Sequence, residues 1–232
     1  MTTEFAALIA AGKPVQIDGG LATQCEAMGH NIDGELWSAQ LLQSNPRAIV
    51  DATRAYLDAG ARIVATASYQ ASRQGLVATG LTEHESDALI LSSVELARQA
   101  CDEFIAANPE ADRPLVAASV GPYGAVLHDG SEYTGDYAIS DEDLRNFHTE
   151  RLQVLDDGHA DLLACETIPS GREARVLAEL LLKTQLPSWV SFSCRDEKHL
   201  ADGSAVVEVA AEFADHPNVL ALGVNCVAPE LV

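Results

Sequence analysis

The chain has 232 residues, 47% of them apolar and only 5% aromatic, enough to bury the core of one large domain or two small ones. Its 14 basic and 35 acidic residues leave a formal net charge of −21, which excludes the Lys/Arg clusters that nucleic-acid phosphates or anionic membranes require. The surface such a charge describes is soluble and self-repelling.

The opening stretch, MTTEFAALIAAGKP, lacks the basic start and long apolar core of a secretion signal, and no later stretch approaches a membrane span. Val15–Ile17 begins a series of short apolar runs that read as buried parallel strands; Ile63–Ala67, Leu115–Val120, Leu162–Cys165, Trp189–Phe192 and Val219–Val224 follow. Helical patterns separate them. Asn45-Pro46 reads as an N-cap with proline at the first helical position, placing Ile49, Ala52, Tyr56 and Leu57 on one face. Thr82-x-x-Glu85 predicts a capping box opening a helix through Phe104. Leu144, Phe147, Leu152 and Leu155 form a further stripe, Ser170-x-x-Glu173 caps the next helix, and a last one covers Ala205 to Ala214. The five cysteines are dispersed without a CxxC pair, which points to a reducing cytoplasm rather than a disulfide framework.

Strand–helix alternation allows an open doubly wound sheet or a closed (β/α)8 barrel, and periodicity alone does not choose between them. In both, reactive groups gather past the carboxyl ends of the strands. Two carboxylates stand there, Asp18 and Glu166. They suit acid–base work or the capture of an ammonium group. Asp18 before Gly19-Gly20 also fits a plain turn or N-cap residue, whereas a carboxylate directly after Leu162–Cys165 is costly to bury without a partner. Cys226 ends the sixth run; a lone cysteine there also fits inert packing. The seven histidines show no HxH or HExxH spacing. None of the three lysines ends a strand, and glycine-rich nucleotide loops and a Gly-x-Ser-x-Gly elbow are missing.

The strand-end segments taken together resemble the homocysteine S-methyltransferase family. They are Asp18-Gly19-Gly20-Leu21-Ala22-Thr23, Leu36-Trp37-Ser38-Ala39, Ala67-Ser68-Tyr69-Gln70-Ala71, and Ser119-Val120-Gly121-Pro122-Tyr123-Gly124-Ala125. Asp129-Gly130-Ser131-Glu132-Tyr133-Thr134-Gly135-Asp136-Tyr137, Ala160-Asp161-Leu162-Leu163-Ala164-Cys165-Glu166-Thr167 and Gly223-Val224-Asn225-Cys226 continue the match in order. The resemblance is strongest to the branch using S-methylmethionine or S-adenosylmethionine.

It implies one (β/α)8 TIM-type barrel domain over residues 1–232, with the last two strand–helix units missing. It implies methyl transfer from a sulfonium donor to homocysteine, giving methionine. Asp18, Gly19, Glu166, Trp37, Tyr69 and Asn225 become the substrate-binding set, the two carboxylates taking the homocysteine ammonium. Trp37 and Tyr69 face the cationic donor, if they are not simply packing residues. The implied cofactor is Zn2+, held by Cys226 and by two cysteines of a Gly-Gly-Cys-Cys segment expected beyond Val232. Zinc would deprotonate the homocysteine thiol and leave a position open for it. Two other readings remain: a truncated, non-catalytic remnant that binds amino acids or a partner, and a six-strand α/β enzyme using Asp18 and Glu166 as an acid–base pair.

Overall fold

In the computed structural model, which describes residues 3–30 and 37–231, and of residues 37–40 the backbone alone, the apolar runs form one parallel sheet. Its strands are β1 (Ile63–Ala65), β2 (Leu115–Val120), β3 (Leu162–Ile168), β4 (Ser188–Phe192) and β5 (Val219–Val224). They lie side by side in sequence order, and every neighbouring pair is parallel. A doubly wound sheet reverses its strand order at a switch point; this sheet has no reversal. Val15–Ile17, expected as a strand, makes a single parallel bridge between Ile17 and Ile63. It follows Pro14 and is paired on one side only, so Ile17 stays about half exposed and the ladder does not extend.

Side chains alternate across each strand and so divide the core in two. Val64, Val116, Ala118, Leu163, Cys165 and Val190 face a helical layer. That layer is α4 (Pro46–Asp58), α6 (Glu83–Ala107), α8 (Asp141–Asp156), α9 (Gly171–Leu181) and α10 (Val206–Ala211), packed in chain order. Leu144, Leu152 and Leu155 of the α8 stripe are buried there, with Phe147 beside them. Ile63, Leu115, Ala117, Leu162 and Ala164 face the other way and meet Phe5 of α1 (Glu4–Ala10), whose ring leans on Trp189 at 5.9 Å. An N-terminal helix therefore closes the foot of the inner face.

The helix starts follow their local chemistry. Thr82 and Glu85 complete the reciprocal capping box of α6. Pro46 opens α4, although the Asn45 side chain makes no capping bond. Ser170 accepts from the Glu173 amide at the start of α9, but the Glu173 carboxylate does not return to it. Shorter helices α2 (Leu21–Ala27), α3 (Trp37–Ser44), α5 (Arg73–Ala78) and α7 (Gly124–Leu127) occupy segments that lack a long amphipathic stripe. A 3-10 turn covers Ser131–Tyr133. Among the described residues no helix is long and apolar enough to cross a membrane.

Candidate active site at the carboxyl ends of the strands

Asp18 lies just past the Ile17 bridge and is anchored across to the neighbouring strand. Its Oδ2 accepts from the Ala65 amide at 2.7 Å, and its own amide donates to the Ile63 carbonyl at 3.1 Å. It is not an N-cap: α2 is capped by Gly20, without a side-chain bond. Burial raises the Asp18 carboxyl to about 7 against the Ala65 bond that lowers it, and the nearby Glu166 charge raises it further. Gly19 is needed for space, since a Cβ there would sit 3.0 Å from the Tyr56 hydroxyl, which donates to the Gly20 carbonyl.

Glu166 stands inside β3 rather than after it, because the strand runs on to Ile168. It faces the inner side with Ala164, while Cys165 faces the helices. Burial raises its carboxyl, and the Ser119 hydroxyl donating to Oε1 opposes that rise. Ser119 was legible as the one hydroxyl sharing a face with Ala117 in an apolar strand. With Ser191 and Asn225, Glu166 forms the polar wall of an inner cavity of about 390 Å3, whose remaining lining is apolar from Phe5 to Trp189 except for the exposed Lys13.

The next residue is strained. Thr167 is buried at φ +61, a region a β-branched side chain rarely enters. Between Cys165 and Ile168 the β3–β4 register takes three steps against two, a bulge that re-aims the strand end. Asn225 holds it there. Its Oδ1 accepts from the Thr167 amide at 2.8 Å and from Ser191 Oγ at 2.9 Å, and its Nδ2 donates to Thr167 Oγ1 at 2.8 Å. Strain of this kind costs roughly 1–3 kcal/mol and persists where surrounding bonds over-determine it. Cys226 also adopts positive φ, at +52, and is exposed. Its sulfur lies 3.8 Å from Thr167 Oγ1 and 3.7 Å from Asn225 Nδ2.

Tyr69 completes this wall. Its carbonyl accepts from Arg151 at 2.6 Å, and its ring covers Gly121, where a Cβ would come within 2.7 Å of the ring and 2.5 Å of the carbonyl. Burial raises its phenol, and Thr167 is close enough to oppose that rise. Arg151, buried in α8, also donates to the carbonyls of Ser68 and Gly121. Behind it Glu173 accepts from the Tyr123 amide, the Tyr137 hydroxyl and His148 Nε2, which ties the loop after β2 to the helical layer. The structure thus gathers Asp18, Gly19, Tyr69, Glu166, Asn225 and Cys226 at one end of the sheet. The Trp37 side chain lies outside the described residues.

A sequence profile described as Homocysteine S-methyltransferase matches residues 15–232. The homocysteine S-methyltransferase of Escherichia coli (strain K12) is 51% identical over 92% of this chain and 69% of its own length.

The chain belongs to the homocysteine S-methyltransferase family.

A Bacillus subtilis (strain 168) member, homocysteine S-methyltransferase YbgG, is 42% identical over 91% of this chain and 69% of its own length. The crystal structure of the metallated form of the Escherichia coli homocysteine methyltransferase MmuM superposes with a TM-score of 0.92 at 48% identity. That match covers 97% of this chain and 79% of the other. The homocysteine S-methyltransferase family assigns the chain to methyl transfer onto homocysteine, and its fold is the α/β arrangement of the MmuM structure. Among the described residues no three His, Cys, Asp or Glu side chains gather as a metal site.

Proposed function

We propose that this chain builds most of a closed (β/α)8 barrel in which a sulfonium donor, S-methylmethionine or S-adenosylmethionine, methylates homocysteine to methionine. The observation that carries the reading is the pair Asp18 and Glu166, two half-buried carboxylates at the strand ends, close enough for Glu166 to raise the Asp18 carboxyl, neither of which forms an ion pair among the described residues. One ammonium group between them would relieve both their burial and their mutual repulsion. Asn225 is already committed at both ends of its amide, so its part is to hold Thr167, and through it Glu166, in position. Tyr69, and by family resemblance Trp37, would face the cationic donor.

In the transfer, the bond from the donor sulfur to the methyl breaks as the bond from the homocysteine sulfur forms. The thiol proton is released, and the sulfonium leaves as a neutral thioether that needs no general acid. The contribution of these residues is alignment: the carboxylates fix the ammonium end of homocysteine, and the cavity wall excludes competing poses.

The donor chemistry of the described residues does not make a zinc site, because Cys226 is a single exposed thiol. Cys165 is buried among the helices and its thiol is pushed up to about 12 by burial. We assign Cys226 as one ligand of a three-cysteine zinc set whose other two cysteines come from beyond Val232. A binding-only role for these 232 residues would rest on the same missing cluster, and turnover separates the two readings. All five cysteines are free.

Glu166→Gln in the active enzyme tests the ammonium role. Loss of one charge-assisted contact of about 2 kcal/mol would raise the homocysteine KM by roughly 30-fold. An unchanged homocysteine KM would overturn the role.

A further inference from the structure

Apart from Tyr137, which donates to Glu173, the Asp129–Tyr137 stretch, among the most distinctive in the sequence, has no part in the site so far. It belongs to the loop after β2, and the structure seats that loop over the strand ends. Gly124 has no room for a Cβ, which would lie 2.5 Å from the Glu132 amide nitrogen. Asp129 Oδ1 accepts from the Ser131 amide at 2.9 Å, and Gly130 turns the chain at φ +82. At the far end Gly135, at φ +70, packs against the Pro169 carbonyl and the Asp202 side chain, past the end of β3. The Ser131–Tyr133 turn between these anchors packs on β3.

On that turn Glu132 is 6% exposed, and its Oε2 has no hydrogen-bond partner. It forms no ion pair among the described residues, unlike buried Glu173, which has three donors. A buried carboxylate without a partner is costly, and folding alone gives no reason to keep it. Its neighbour Tyr133 lies in the fields of both Cys226 and Glu132, and Tyr69 lies in those of Tyr133, Cys226 and Glu166. Because the turn packs on β3, whose carboxyl end carries Glu166 and Thr167, Glu132 borders the same rim.

We infer that Glu132 is the counter-ion for the cationic methyl donor, a sulfonium-bearing amino acid, held beneath the loop after β2. This rests on the sulfonium-donor reading above. Homocysteine already has two carboxylates for its one ammonium, whereas the donor carries a sulfonium in addition to its ammonium. A third carboxylate, separate from the first two and closed off from water, matches that extra positive charge. In the free enzyme it waits unpaired, so the protein gives up stability that donor binding restores.

Steady-state kinetics and thermal melts of Glu132→Gln in the active enzyme test this, with S-methylmethionine and S-adenosylmethionine each as donor. The donor KM is expected to rise about tenfold or more, the homocysteine KM to stay within about twofold, and the melting temperature without donor to hold or rise. Glu132→Ala, which removes the whole carboxylate, should show the same split. A melting temperature that falls while both KM values rise together would make Glu132 a structural residue and overturn the inference. So would an unchanged donor KM in a variant that still turns over, with the sulfonium-donor reading left standing. Failure of the unaltered enzyme to use either donor would overturn both readings.

Discussion

At the scale of single residues, Asp18 makes the strongest statement about solution behaviour. Its carboxyl titrates near 7 in the free chain, chiefly because it is buried, with the Ala65 bond opposing and Glu166 adding to the rise. An unfolded aspartate titrates near 3.9. Between these values the folded chain keeps a proton that the unfolded chain has lost, so Asp18 makes stability fall as pH rises through that window. Homocysteine reverses the preference, since its ammonium favours the ionised carboxylate. Homocysteine affinity should therefore climb as pH rises from about 6 to about 8, and Asp18→Asn should flatten the climb. Calorimetric titrations across that range would check it; an equally steep profile in the variant would remove Asp18 from the ammonium site. Gly121 is the neutral counterpart. Gly121→Ala drives a methyl into the Tyr69 ring and carbonyl, and overpacking of this kind costs about 1–3 kcal/mol.

At the scale of elements, the loops past the strands depend on helix side chains that the sequence does not advertise. Arg151 supplies the donors for the carbonyls of Ser68, Tyr69 and Gly121, and its guanidinium also sits 5.3 Å from the Phe147 ring. Arg151→Leu would strand these carbonyls and should lower unfolding free energy by about 3 kcal/mol in urea titrations, with homocysteine turnover falling as Tyr69 shifts. A loss below about 1 kcal/mol would show that water replaces the guanidinium. The sequence made some of this architecture visible. β2 and β5 match their apolar runs residue for residue; β2 is buried at every position, as a strand covered on both faces requires, whereas β5 grows exposed toward its carboxyl end. The α6 capping box was equally plain, since both partners lie within one turn. Asp18, Glu166 and Cys226 were visible as polar residues ending apolar runs. Partnerships formed over long separations were not. Glu173 sits at a capping-box spacing, yet its carboxylate serves Tyr123, Tyr137 and His148. Arg151 occupies a helix position where charge ordinarily means exposure. The Thr167 bulge comes from a register shift against β4, which no pattern within β3 records.

At the scale of the whole molecule, the inner face is apolar below its carboxylate rim and open at its sides. Ile17, Leu222 and Val224 are 53%, 41% and 37% exposed along its two edges, next to the cavity that reaches Glu166. The 232 residues alone should bind a hydrophobic dye such as ANS and associate in solution. They should also purify with well under one zinc per chain. A chain extended through a Gly-Gly-Cys-Cys segment should hold about one ion and lose the dye signal. Elemental analysis and dye fluorescence on both proteins would decide it. A tightly held, stoichiometric zinc on the 232 residues would mean that ligands other than the cysteines assigned above suffice. The strand order carries a consequence for biosynthesis. Each strand pairs with the one translated just before it, so the nascent chain can add its layers as they leave the ribosome, without waiting for a distant partner. Asp18, Ser119 and Glu166 would meet before Asn225 and Cys226 have emerged, so the ammonium site would be assembled first and the thiol rim last. Limited proteolysis of ribosome-stalled chains would test that order: protection through Ile168 should precede release of β5.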